Sequence, residues 1–235
     1  MSATKELFNA IASRDDASEG ASGGGGVEAI RAMLADNPVL ATTANEQGIS
    51  PVMFALYCQK REVATLFLEA GAVPGIFETV SLGELEDLTS RLDAASGGEG
   101  DETVLTTRSP DGFTLLHLAC FFGHVACVKL LIERGSEVNI AAKNESRVYP
   151  IHSAAACNSS KIVIMLLEAG AKADAKQQKD FTALMSAAMH NNLDMARALL
   201  KAGANPSQES EDDRTPISMS QEAGHGEMVE MLKKA

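Results

Sequence analysis

Residues 110–139 read PDGFTLLHLACFFGHVACVKLLIERGSEVN, and this stretch decides the fold. Asp111-Gly112 supplies turn chemistry, because Gly tolerates a positive φ and an Asp carboxylate bonds back to its own backbone. Thr114 follows as an N-cap, a residue type whose hydroxyl satisfies an orphan N–H at a helix start. Leu115, Leu116, Ala119 and Phe122 mark one short helix, which Gly123-His124 breaks. Val125, Val128, Leu131 and Ile132 then recur at three- and four-residue spacing, predicting a second amphipathic helix that Gly135 ends. Two antiparallel helices this short cannot bury their own apolar faces. The unit requires copies of itself on either side.

The copies are present. Met53, His117, His152, Met185 and Ser218 hold equivalent positions, at successive steps of 64, 35, 33 and 33 residues. The first step has room for two units, the second of them degenerate. One half of the motif reads SPVMFA at 50–55, TLLHLA at 114–119, PIHSA at 150–154, TALMSA at 182–187 and TPIS at 215–218. The other half reads LFLEAGA at 66–72, LLEAGA at 166–171 and LLKAGA at 199–204. Two half-motifs in phase over most of the chain resemble the ankyrin repeat, whose period is about 33 residues with a T-P-L-H-x-A core. The resemblance implies an all-α solenoid of stacked helix–turn–helix units joined by β-turn loops. It also implies that His117 and His152 tie neighbouring turns together by hydrogen bonds.

A single array over residues 1–235 is expected, in about seven units. The first, 1–47, is degenerate and carries an acidic, Gly-rich insertion at 14–26 between a helix near 5–13 and a second apolar face at Val27, Ile30, Met33 and Leu34. Residues 48–74 form the second unit. The third, 75–108, lacks the core motif but keeps two helices around a break at Gly83, followed by a second Gly-rich insertion at 93–102. Units at 109–142, 143–176 and 177–209 are regular, except that residues 142–146 lengthen one turn. The last, 210–235, has the polar end that suits a cap with one solvated side.

Composition narrows the function. The formal charge is −12, from 32 acidic against 20 basic residues, which disfavours duplex nucleic acid and anionic membrane. No apolar run is long enough to span a bilayer, and the N-terminus lacks signal-peptide character, so a cytoplasmic protein is expected. Cys58, Cys120, Cys127 and Cys157 show no C-x-x-C pairing and fall in helices, which predicts free thiols in a reducing compartment.

Catalytic chemistry finds no residues to rest on. The Gly-rich run at 20–26 precedes a helix, but Val27-Glu28 stands where a phosphate-binding loop needs Lys-Ser/Thr, and no strand precedes it. His117 and His124 are separated by the break at Gly123, and no cluster completes a tetrahedral metal site. Cys157 has His152 five residues earlier but no third, orienting group. A non-enzyme with no catalytic residue, metal or cofactor is expected.

What remains is a binding surface. The resemblance places it on the concave side, lined by turn tips and the exposed ends of first helices. Carried over unit by unit, those positions are Phe113, Phe121, Phe122, Val148, Cys157, Phe181, Met189 and His190. They are mostly apolar or aromatic in a chain that is only 4% aromatic. An exposed apolar ladder marks an interaction surface; the bland alternative is that Phe113, Phe122 and Phe181 simply pack against neighbouring elements. The function expected is protein–protein binding by a monomeric scaffold, adaptor or inhibitor, with the acidic run at 209–213 favouring a partner with a basic surface. The alternatives are a regulatory subunit or small-molecule sensor attached to an enzyme, or a self-associating structural protein.

Overall fold

A computed structural model describes residues 2–13, 25–95 and 101–235. The two Gly-rich insertions therefore lie largely outside the described residues. Among those described, the regular structure is helical, with no β-strand. The chain separates into two compact units, Met1–Leu82 and Gly83–Ala235.

The first unit holds α1 (Ala3–Ala12), α2 (Gly25–Asp36), α3 (Pro51–Tyr57), α4 (Arg61–Glu69) and α5 (Ile76–Leu82). Ser2 starts α1 by accepting a hydrogen bond from the Lys5 N–H, and Leu7, Phe8 and Ile11 form its buried stripe. Pro51 opens α3, where its missing N–H costs nothing, and the Ser50 hydroxyl accepts from the Met53 N–H at 3.1 Å. The same hydroxyl donates to Glu78 Oε1 at 2.7 Å, while Oε2 of that carboxylate accepts from the Gly75 N–H at 3.0 Å. One side chain thereby fixes the start of α5 against the start of α3. Phe8 and Phe54 meet edge to face, with centroids 4.9 Å apart.

The second unit holds α6 (Leu85–Ala95), α7 (Asp101–Thr106), α8 (Leu115–Phe121), α9 (Val125–Glu133), α10 (Pro150–Ala156), α11 (Ser160–Glu168), α12 (Ala183–Met189), α13 (Leu193–Lys201), α14 (Pro216–Glu222) and α15 (Gly226–Leu232). Each first helix packs on the next, α8 on α10 on α12 on α14, and the second helices α9, α11 and α13 do the same behind them. Leu115, Leu116, Leu118 and Ala119 are buried almost completely, as are Val128 and Leu131 on α9, while Phe122, Val125 and Ile132 of the faces read from the opening stretch are only half-buried. Helix α7 is not legible in the sequence, since it follows the Gly-rich run directly; Leu105 is its buried residue.

The backbone repeats with the sequence. First helices end in left-handed residues at Gln59, Gly123, Asn158, Asn191 and Gly224, at steps matching those between the core motifs. Each turn closes when its first N–H donates back to the carbonyl four residues on: Asn45 to Ile49, Ser109 to Phe113, Gln177 to Phe181 and Ser210 to Arg214. In the lengthened turn the same bond runs from Ala142 to Val148. Neighbouring turns are then stitched together by N–H to carbonyl bonds from Lys143 to Gly112, Gln178 to Ser146 and Glu211 to Lys179, each 2.9–3.0 Å long. Gly112 has φ +90°, and a Cβ there would sit 2.5 Å from the Lys143 carbonyl oxygen. The equivalent tips in the later turns, Arg147, Asp180 and Asp213, take positive φ without being glycine.

Candidate functional site

The turns and first helices of the second unit enclose a mainly apolar hollow of about 160 Å³. Phe113 comes from the tip before α8 and Phe121 from the end of that helix. Val148 and Phe181 come from the next two tips, and Ala156 ends α10. The floor is polar but satisfied. His152 accepts at Nδ1 from the Tyr149 N–H (3.2 Å) and donates from Nε2 to the Ala175 carbonyl at 2.8 Å.

Burial, outweighing the backbone hydrogen bonds that favour the charged ring, lowers the His152 pKa to about 4, so the ring is neutral. His117 is held the same way. Its Nδ1 accepts from the Thr114 N–H and hydroxyl, its Nε2 donates to the Val148 carbonyl at 2.9 Å, and burial lowers its pKa to about 4. His117 links its unit to the next turn as the resemblance implied, while His152 reaches Ala175, at the end of its own unit just before the following turn. Beyond them the device lapses. Met185 offers only a thioether to the Thr182 N–H, and Ser218, in the seventh unit, accepts the Thr215 N–H.

Of the residues singled out in the sequence, Phe113, Phe121, Val148 and Phe181 share the hollow. Phe121 is 43% exposed, while Phe113, Val148 and Phe181 are half-buried. Met189, 49% exposed, occupies the same register as Phe121 and Ala156 two units along but does not line the hollow. Phe122, Cys157 and His190 do not line it either. Each is one residue further along its helix, and about 100° of helical rotation per residue turns it away. Phe122 stacks on His124 with centroids 6.4 Å apart. Cys157 packs against Gly123, where a Cβ would lie 2.9 Å from its Sγ. Ser153, Gln177, Thr182 and Ser186 complete the lining and carry no sequence signal, being small or polar residues made into a wall only by their bulky neighbours.

Burial raises the Cys157 thiol pKa, which disfavours the thiolate a nucleophile needs. The four cysteines are free; Cys120 and Cys127 are buried, Cys58 and Cys157 half-buried. Among the described residues no group of three or more His, Cys, Asp or Glu side chains is arranged to hold a metal ion. Among the same residues no helix is long and apolar enough to cross a membrane.

Stacked helix pairs with hydrogen-bonded turns define a repeat protein, and comparison with known families identifies which. The family model for ankyrin repeats (3 copies) matches residues 92–177 and again 154–235. The chain belongs to the ankyrin-repeat family. Among curated relatives, the E3 ubiquitin-protein ligase hecd-1 of Caenorhabditis elegans is 32% identical over 99 residues, 42% of this chain but 4% of that protein. Alpha-latrocrustotoxin-Lt1a of Latrodectus tredecimguttatus is 25% identical over 133 residues, 53% of this chain and 9% of the toxin. The chain thus spans less than a tenth of the length of either relative. Ankyrin repeats are in general protein–protein interaction modules.

Proposed function

We infer that this chain is a non-catalytic binding module, a scaffold, adaptor or inhibitor, which captures a protein partner on the concave face of its second unit. The observation that carries this reading is the convergence of Phe113, Phe121, Val148 and Phe181 on one hollow whose polar floor is already hydrogen-bonded. A hollow of about 160 Å³ is far smaller than the several-hundred-Å³ sites that enclose metabolites, and matches one large apolar side chain. An aromatic anchor in such a pocket is the usual centre of an interface.

Affinity capture from the native cell tests the reading, comparing wild type with Phe121→Glu. The variant is expected to keep its melting transition and lose the partners that the wild type retains. Identical partner sets would sink the proposal.

A further inference from the structure

We propose that the occupant of this surface is an extended segment with one large apolar residue and a cluster of basic residues set apart from it on one side. The proposal rests on the hollow being the anchor site and adds the charge and spacing of what binds there.

The charge comes from the turn tips. Beside the hollow two tips each carry one net positive charge: Lys143 and Arg147 against Glu145, and Lys176, which pairs with Asp180 at 3.4 Å, with Lys179 next to it. The following tip differs. Glu209, Glu211, Asp212 and Asp213 are all exposed there, and the local cation Arg214 is already engaged with Glu222 at 3.8 Å. The acidic tip is not a detached tail. The Glu211 N–H donates to the Lys179 carbonyl at 3.0 Å, which locks it beside the turn that carries Phe181 into the hollow. A strong negative field therefore begins at the turn before α14, next to the apolar site, and the partner's cations belong on that side.

The spacing follows from the stack. Neighbouring helices pack about 8–10 Å apart, so the acidic tip lies about 16–20 Å from a hollow centred on α10. An extended chain advances about 3.3 Å per residue, which puts the basic cluster about five or six residues from the anchor. A basic residue adjacent to the anchor would meet Lys143, Arg147 or Lys179 instead.

The test is selection of displayed random linear peptides on the full chain, followed by anisotropy titration of the enriched sequences. The titrations compare wild type, Phe121→Glu, and the triple variant Glu209→Lys, Glu211→Lys, Asp212→Lys. Asp213 is left in place because its φ of +56° suits Asp better than most side chains. Enriched peptides should share an apolar residue and a basic cluster at the stated separation. Replacing the apolar residue by Ala should weaken binding about thirtyfold. The triple variant should weaken it at least about tenfold at low salt, with the difference shrinking at high salt. Apolar motifs without basic residues, insensitive to the triple variant, would overturn the proposed partner chemistry while leaving the hollow as the binding site. Peptides indifferent to Phe121→Glu would overturn the hollow itself, and failure to enrich any peptide counts against both. Circular dichroism checks that each variant is folded, with Phe121→Ala replacing Phe121→Glu if it is not.

Discussion

His117 donates from Nε2 to the Val148 carbonyl, 2.9 Å away, and Val148 is at the same time a wall of the apolar hollow. Scaffold and candidate site therefore share a residue. Replacing His117 by Met keeps the volume but leaves the Val148 carbonyl with only the Ala142 N–H and gives the Thr114 N–H the weaker thioether acceptor that Met185 gives Thr182. A loss of about 1–3 kcal/mol is expected for polar groups orphaned in this way. Urea unfolding measures it, and an unchanged midpoint would show that the link is dispensable.

Acid should destabilise the protein through the same histidines. His117 and His152 have folded pKa values of about 4, below the ordinary 6.5, because burial penalises the charged ring. Between pH 6.5 and 4 the unfolded chain binds protons that the folded chain refuses. Their contribution is complete above pH 6.5 and is lost as pH falls toward 4. At about 1.4 kcal/mol per pKa unit, the pair is worth several kcal/mol across that window. Carboxylates titrate in the lower part of the same range, so the diagnostic is the difference between wild type and His152→Met. The variant should show a shallower decline in stability from pH 6.5 to 5.

Two glycines with nearly the same φ should respond differently to alanine. Gly135, at φ +88°, has nothing within 4 Å of an added Cβ, so Gly135→Ala carries only the left-handed penalty of about 1–2 kcal/mol. Gly112→Ala adds a collision with the Lys143 carbonyl and should break the inter-turn bond as well. Thermal melts of the pair should rank Gly112→Ala clearly below Gly135→Ala. Equal melting temperatures would mean the turns shift to make room.

Exposure separates core from surface along one unit. Leu131 is fully buried, and Leu131→Ala is expected to lose about 2–5 kcal/mol. Phe121, 43% exposed at a helix end, should lose under about 1 kcal/mol as Phe121→Glu. Phe113 and Phe181 fall between, since both are half-buried. Denaturant titration of the four variants gives the order directly.

The repeat was legible in the sequence because its phase is written twice, in the TLLH-type helix starts and in the LLEAGA-type helix ends. Helices α8 and α9 fall within a residue or two of the pair read from residues 110–139. The candidate site was legible only in part. Phe113, Phe121, Val148 and Phe181 stand out because bulky side chains at tips and helix ends are costly in water. Phe122, Cys157 and His190 stood beside them in the sequence, one residue past the register of Phe121, and Met189 holds that register without lining the hollow. Gln177 and Ser186 were invisible, because what makes them a wall is the company of residues from other units. Helix α7 escaped because the run before it announces a loop and no periodicity follows it.

The left-handed tips have a consequence for how such a protein changes over time. Where Gly112 stands in one turn, Arg147, Asp180 and Asp213 stand in the next three, all in the conformation glycine would hold most easily. Each of these side chains is exposed, so none is needed for the core. A position that holds a glycine, an arginine and twice an aspartate, the last a residue at ease in this region, is one where the letter can be rewritten without disturbing the helices behind it. The stack supplies a fixed frame, and its row of tips is the margin on which a lineage can write a new partner.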